Sequence, residues 1–341
     1  MKHRVGIVGL GMALKPHLKS LEELGDRVEI AACFTPSAER RKAFAAANRH
    51  PVADKIDAIL SDKSIDVVFV LSPPATHLEI VEQCAAAGKH VLLEKPIDVT
   101  TARARAIVET MEKADRKLAI MLQHRFRAAT RKLKQAVESG DLGPLVSGSA
   151  AIRWWRTPEY FAQPGRGMKA RDGGGVLITQ AIHTLDLFQS LTGPVARVAA
   201  FAKTSPLRNI DTEDVVGAGI EFANGALGAI DATTVAYPGF PERIELACEK
   251  GSATLVAETL DIFYKDGRHV RHEGAESKSG GADPMAFPND AHKALIVDFL
   301  DAIDTGREPE VSGRAALRVH LLIDALLQSA EQGRAVAVPA A

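Results

Sequence analysis

Two side chains in this 341-residue chain stand where acid–base chemistry can be done. Lys95 lies between Glu94 and Pro96, directly after the apolar run Val91-Leu92-Leu93. A lysine wedged between a buried strand end and a proline is not an ordinary surface charge. Its ammonium can hydrogen-bond an oxygen and stabilise negative charge as it develops. Partial burial lowers the pKa of such a group and lets it trade protons. An X–Pro bond can also be cis, which would aim Lys95 into a cleft. The second group is His183, which follows Gly173-Gly174-Gly175 on a segment with apolar Leu177, Ile178, Ile182 and Leu185. In an α-helix Thr179 and His183, four apart, share a face. With an unperturbed pKa near about 6.5, an imidazole there is a natural proton acceptor for an alcohol being oxidised. The alternative is a hydrogen-bonded core histidine. His183 and Asp186 lie three apart, but two ligands without a third make no metal site, so none is expected.

These groups need elements to hold them. Residues 1–123 alternate short apolar runs with amphipathic stretches, the pattern of a parallel sheet covered on both faces. Strands are expected at 4–8, 28–34, 67–71, 90–93 and 118–122, and helices at 16–24, 37–47, 76–87 and 100–114. Thr76 and Thr100 are expected N-caps and Gly88 a helix stop. The product is a doubly wound sheet with its ligand crevice at the carboxyl ends of the strands.

The first turn reads Gly9-Leu10-Gly11-Met12-Ala13-Leu14. Gly9 permits the tight turn, Gly11 lets backbone approach phosphate, and the helix that starts near Met12 and Ala13 offers N–H groups and a positive dipole. Placement right after the first strand of a βαβ unit makes this a dinucleotide site. Leu14 stands where the usual fingerprint has a third glycine or alanine. At the tip of the second strand, Phe34-Thr35-Pro36-Ser37 brings no carboxylate for a ribose 2′-OH. Thr35 and Ser37 offer hydroxyls, and Arg40 and Arg41 can approach a 2′-phosphate, so NADP is favoured over NAD. In Ser72-Pro73-Pro74-Ala75-Thr76-His77 the prolines stiffen a turn, and His77 is read either as a contact to ribose or nicotinamide or as a capping and packing residue.

Beyond Gln123 the pattern changes. A helix is expected at 130–139, an extended run at 145–155, then a Gly/Pro/Arg-rich loop and a helix at 175–191. Hairpin signals follow at Ala223-Asn224-Gly225, Lys250-Gly251 and Lys265-Asp266-Gly267. Five or six strands with antiparallel connections read as an open sheet, covered by helices on one face and free to pack on a partner with the other. Residues 273–287 read as a mobile loop, and helices at 292–304 and 314–329 close the chain. Two domains are therefore expected, 1–123 for the dinucleotide and 124–341 for substrate and oligomerisation.

Composition sets the bounds. A content of 46% hydrophobic and 25% charged residues is that of an ordinary globular protein. A net charge of −1 without a basic run argues against nucleic acid or an anionic membrane as partner. No apolar run reaches the roughly 18 residues of a transmembrane helix. The strand beginning near Arg4 leaves no room for a signal peptide. Cys33, Cys84 and Cys248 form no CxxC pair, which fits a reducing, cytoplasmic setting.

Taken together, the GxG turn, Ser72-Pro73-Pro74 with His77, and Gly88-Lys89-His90-Val91-Leu92-Leu93-Glu94-Lys95-Pro96 carry a resemblance. The glycine run ending in His183-Thr184-Leu185-Asp186 and Tyr237-Pro238-Gly239 extend it over essentially the whole chain. The sequence resembles the Gfo/Idh/MocA family of NAD(P)-dependent oxidoreductases. The resemblance implies an α/β Rossmann domain joined to an α+β domain with an open, mostly antiparallel sheet, which usually mediates homodimers or homotetramers. It implies redox chemistry at a secondary alcohol or ketone of a sugar, sugar acid or cyclitol, with Lys95 catalytic and His183 the acid/base. Polyol dehydrogenases of the family often carry Asp where this chain has Thr179, which is no base at neutral pH, and Gln180 adds only an amide. Proton transfer would then rest on His183 and Lys95. Family geometry places Trp155, Arg156, Tyr160 and Arg166 beside substrate, and Arg125, just past the fifth expected strand, points to the region between the domains. Aromatic faces stack on sugar rings, while Arg156, Arg166 and Lys169 can hold a carboxylate or phosphate, or some of them pair with Glu159 or Asp172 to order the loop. Tyr237 and His292 are read as structural. Two other readings are a tightly held cofactor used for transient redox and a non-catalytic NAD(P)-sensing regulator; retention of Lys95 and His183 speaks against the latter.

Overall fold

The computed structural model describes residues 2–274 and 288–341 and forms two compact units, 1–123 with 288–317 and 124–287 with 318–341. The first unit runs unbroken to Gln123. The segment 288–317, expected in the second domain, instead belongs with the first.

In the first unit, β1 (His3–Val8), β2 (Val28–Phe34), β3 (Val67–Val70), β4 (His90–Leu93) and β5 (Leu118–Ile120) make one parallel sheet in the order β2-β1-β3-β4-β5. Every residue of β3 and β5 is buried, because helices cover both faces and no face is left for polar alternation. The crossovers are α1 (Leu14–Glu23), α2 (Ala38–Ala47), the short α3 (Asp57–Leu60), α4 (His77–Ala86) and α5 (Thr101–Lys113). Thr100 caps α5 by accepting from the Arg103 N–H at 3.3 Å. Thr76 does not cap α4: a 3₁₀ turn, Pro74–Thr76, precedes that helix, and the Thr76 hydroxyl donates back to Pro73 O and to Ser72 Oγ, each at 2.8 Å.

α10 (Asp290–Thr305) packs on α1 in this unit. Polar contacts fix it: the Asn289 amide donates to Ser20 Oγ at 3.2 Å, and Arg27 donates to Asp301 and Asp304 at 2.7 and 3.0 Å. These pairs span some 270 positions in sequence, which is why local pattern could not assign the segment.

In the second unit, β6 (Leu145–Arg153), β7 (Val195–Lys203), β8 (Val215–Phe222), β9 (Leu227–Thr233), β10 (Arg243–Cys248), β11 (Gly251–Val256), β12 (Thr259–Tyr264), β13 (His269–His272) and β14 (Val336–Ala337) form one sheet. Its order is β13-β12-β11-β10-β6-β9-β8-β7-β14, wider than the five or six strands expected. All three hairpin signals join neighbouring strands. The β6–β9 pair is parallel and the other pairs are antiparallel. The helical elements are α6 (Ala128–Glu138), the short α7 (Pro158–Phe161) and α8 (Lys169–Asp172), then α9 (Ile182–Thr192), and last α11 (Gly313–Gln332), of which residues 318–332 lie in this unit. On the inner face Phe188 of α9 meets Phe222 of β8 edge-on at 5.7 Å. A Cβ at Gly148 would come within 3.3 Å of the Phe188 ring, so β6 needs a small residue at that point. The expected loop at 273–287 lies almost wholly outside the described residues.

α11 carries a buried titratable group. His320 has 1% of its surface exposed, and burial pushes its pKa from 6.5 down to about 4. As pH falls, the unfolded chain protonates first. The stability present above pH 6.5 is therefore lost on the way to pH 4 and levels off below. A gap of this size is worth about 3 kcal/mol at most. Urea unfolding at pH 7 and pH 4.5 should show His320→Leu losing roughly 2 kcal/mol less than wild type over that interval. Equal losses would contradict the assignment.

Candidate active site

The turn after β1 is built around Gly9, whose φ of +111° is closed to other residues, and a Cβ there would lie 2.5 Å from the Leu71 carbonyl carbon. Its N–H donates to Phe34 O at 2.8 Å, tying the turn to the end of β2. Gly11 meets nothing within 4 Å of where its Cβ would be, Met12 is 61% exposed, and Ala13 is half-buried at the start of α1. Backbone N–H groups at a helix start, under a surface no side chain fills, suit a pyrophosphate. The residues present fit a dinucleotide.

At the tip of β2, Thr35 is buried, and Ser37 caps α2 by accepting from the Arg40 N–H at 3.2 Å. Arg41 is committed to the protein, donating to Thr35 O and Pro36 O at 2.7 and 3.0 Å. Arg40 is exposed. Ser72 and Pro73 lie at the surface after β3. His77 differs from one of its two expected roles. It is fully buried, with Nδ1 3.0 Å from Ile97 O and Nε2 2.9 Å from Ser72 O, so both ring nitrogens address backbone and not a ribose. Burial lowers its pKa, outweighing the backbone contacts and the Asp98 and Glu94 charges that act the other way. The ring ties the loop after β3 to the loop after Pro96.

Glu94 and Lys95 leave the end of β4, and the Lys95–Pro96 bond is cis. Glu94 Oε2 accepts the Lys95 backbone N–H at 3.0 Å, and Oε1 lies 2.7 Å from Nε2 of His17 on α1. His17 has no exposed surface and meets the His292 ring edge-on at 5.5 Å. Sequence reading singled out neither His17 nor its link to Glu94. The signal was present: a histidine six residues past Gly11, on the buried face of the phosphate helix.

In the second unit, Leu177–Ala181 is a π-helical turn that runs directly into α9. Such turns recur at functional positions. The turn alters the α-helical register in which the sequence placed Thr179 over His183. The Thr179 hydroxyl donates back to Gly175 O at 2.6 Å, and the buried Gln180 amide donates to the Tyr160 hydroxyl at 3.2 Å. His183 is half-buried and stacks on His124 with ring centres 4.8 Å apart and planes at 25°. Arg127 donates to His124 Nε2 at 2.7 Å and to Glu242 Oε1 at 2.6 Å. A guanidinium has only donors, so His124 must accept at Nε2 and carry its proton on Nδ1. His124 was not foreseen from sequence. Start of the π turn is held by Glu213, whose carboxylate accepts from Gly175 N and Leu177 N at 3.0 and 3.1 Å. Burial raises the Glu213 pKa above its usual value in spite of those donors.

Arg125, expected to meet substrate, is turned to the protein instead. It grips Asp186 in a buried two-point ion pair, Nε to Oδ2 at 2.7 Å and Nη2 to Oδ1 at 2.5 Å. The loop arginines are likewise engaged. Arg156 is buried, 4.9 Å from the Trp154 ring centre and 5.8 Å from that of Tyr160, and burial lowers its pKa. Arg166 lies 4.9 Å over Tyr160 and 3.7 Å from Asp172. Arg208, absent from the sequence reading, is 5.0 Å from both the Trp155 and Phe161 rings and donates to Arg156 O. Trp155 also meets Tyr237 edge-on at 5.6 Å, and Lys169 is exposed. Aromatic faces and guanidinium planes thus order this loop from within.

A glycine turn at the first crossover of a parallel sheet, joined to a second unit with a broad open sheet, defines an NAD-binding oxidoreductase. The chain belongs to the Gfo/Idh/MocA family. A family model described as oxidoreductase family, NAD-binding Rossmann fold, matches residues 3–122, and one for the GFO/IDH/MocA C-terminal domain matches 130–254. The chain is 29% identical to myo-inositol 2-dehydrogenase of Thermotoga maritima, covering 98% of both chains. It is 28% identical to UDP-N-acetylglucosamine 3-dehydrogenase of Acidithiobacillus ferrooxidans over 95% of this chain and 98% of that one. Among solved structures it is similar to the WlbA dehydrogenase of Bordetella pertussis in complex with NADH and UDP-GlcNAcA, at a TM-score of 0.84 and 28% identity over the whole of both chains.

The Arg125–Asp186 pair sets a stability prediction. Breaking one side takes an ion-pair partner from a buried charge, so Arg125→Met or Asp186→Leu should each cost about 3–5 kcal/mol in urea unfolding. The joint Arg125→Met/Asp186→Leu variant should recover much of that. A double variant as unstable as the two single losses summed would contradict this account.

Proposed function

We propose that this protein is an NAD(P)-dependent dehydrogenase or reductase that interconverts a secondary alcohol and a ketone on a sugar, sugar acid or cyclitol, with NADP preferred. One observation carries the reading: Lys95 leaves the end of β4 in the same sheet whose first crossover holds the glycine turn. The nicotinamide group would accept or give the hydride. Gly9, Gly11, Met12 and Ala13 would hold its pyrophosphate, with Thr35, Ser37, Arg40, Ser72, Pro73 and Glu94 around the rest of the dinucleotide. Lys95 steadies the charge on the reacting oxygen. His183 takes or returns the proton, with Thr179 and Gln180 as neutral neighbours. Trp155 and Tyr160 supply aromatic faces for a sugar ring.

Cofactor preference rests on the exposed Arg40 and the lack of a carboxylate at the tip of β2. The outer face of the second unit's sheet supports a homodimer or homotetramer. Phe201 is 85% and Leu227 63% exposed there, among small residues and flanking pairs such as Arg197–Glu221. Exposed apolar patches of this kind mark interaction sites.

Two tests follow. Reduction of NAD and NADP should be followed against sugars, sugar acids, cyclitols and sugar nucleotides. Lys95→Met should lower kcat by roughly a thousandfold, and His183→Asn by about 10²–10⁴. Arg40→Ala should raise the KM for NADP and leave that for NAD unchanged; a wild type that prefers NAD contradicts the cofactor choice. In light scattering, Phe201→Glu with Leu227→Glu should turn an oligomer into monomer, and an unaltered mass would count against this face.

A further inference from the structure

We propose that His17 is a positioning residue for Lys95, acting through the Glu94 carboxylate. The proposal rests on the reading of Lys95 as the group that meets the reacting oxygen. Glu94 Oε1 and Oε2 are each engaged by a different N–H: His17 Nε2 at 2.7 Å and the Lys95 backbone at 3.0 Å. A carboxylate held at both oxygens cannot rotate without losing one donor. The Lys95 backbone is therefore clamped to α1 through a single half-buried carboxylate.

The tautomer fits this role. An ionised carboxylate only accepts, so the His17 proton lies on Nε2. His17 Nδ1 is then a bare lone pair, and that atom is buried with no hydrogen-bond partner, beside Phe69 edge-on at 6.0 Å. No buried N–H is left stranded. The groups facing Glu94 are His17 from α1, His292 from α10 and Lys95 itself, with His77 farther off. Burial pushes the Glu94 carboxyl up, but the His17 hydrogen bond and the positive charge of Lys95 outweigh it and hold the group below its usual range. An ionised Glu94 thus acts on the Lys95 ammonium electrostatically and supports its charge.

Donor atoms of His17, Glu94 and His292 lie within 4.8 Å of one another, a grouping that can also hold a divalent ion. Two features favour the hydrogen-bonded clamp: both Glu94 oxygens already accept from N–H groups, and the neighbouring lysine would repel a dication.

The test reads Lys95 without turnover. Lysines are reductively methylated with ¹³C, the Lys95 resonance is assigned by its loss in Lys95→Arg, and it is titrated by NMR. In His17→Phe the Lys95 midpoint should fall by about one unit relative to wild type. His17→Gln, which places an amide N–H near the position of Nε2, should restore it. Glu94→Gln, nearly the same shape as glutamate, should give the same fall, and it carries the test if His17→Phe does not fold. The limb of the kcat–pH profile assigned to Lys95 should move with the midpoint, while in His17→Phe the KM for the cofactor changes less than about twofold. An unchanged midpoint in these variants overturns the proposal, as does a stoichiometric metal in the purified protein. Full activity of Lys95→Met would instead overturn the reading of Lys95, and is distinguishable because the NMR midpoint does not depend on activity.

Discussion

Partial burial of the Glu94 carboxylate, 12% exposed, is a constraint that links three parts of the first unit. Taking an ion out of water costs several kcal/mol even after relaxation. A carboxylate stays charged there only where donors and cations surround it. Here the donors come from α1 and from the backbone of Lys95, and a further imidazole comes from α10, far along the chain. The requirement therefore couples the phosphate-binding helix, the end of β4 and a helix from residues 290–305. It gives a physical reason for 288–317 to rejoin the first unit after the chain has built the second.

The second unit treats its buried charges in the same way. Arg125 with Asp186, and Arg127 with Glu242, pair inside it, and the second of these pairs reaches His124, which stacks on His183. An imidazole that must move a proton benefits from a neighbour of fixed tautomer. The π turn just before it is capped by Glu213, so the helix start and the histidine are set by one short segment. Arginines that sequence reading offered to a substrate are largely consumed in ordering the protein.

Elements with strong local signals were legible from the chain alone. The strands at 28–34 and 90–93 fall at the expected residues, because short, largely apolar runs between helices leave few alternatives. Two of the three hairpins were written in Asn224-Gly225 and Asp266-Gly267 and the third in Lys250-Gly251, and the dinucleotide turn in Gly9 and Gly11. Features set by distant partners were not. Arg125 cannot reveal its pairing with Asp186 from 61 residues away, nor Arg208 its place between Trp155 and Phe161. Thr76 looked like a cap, but Pro73 and Pro74 imposed a 3₁₀ turn that claimed its hydroxyl. His77 looked like a ligand contact until two backbone carbonyls were found on its ring.

The central claim is that this chain moves a hydride between a nicotinamide and a carbon bearing oxygen on a sugar-like molecule. It is tested most directly by isotope transfer. The protein would be incubated with NADP and a set of sugars and cyclitols deuterated at their secondary carbinol carbons, and the cofactor recovered for mass spectrometry. The account predicts reduced cofactor carrying deuterium on the nicotinamide ring from at least one member of the set, and none with Lys95→Met. Cofactor that binds yet returns oxidised and unlabelled from every substrate, identically in wild type and variant, would contradict it.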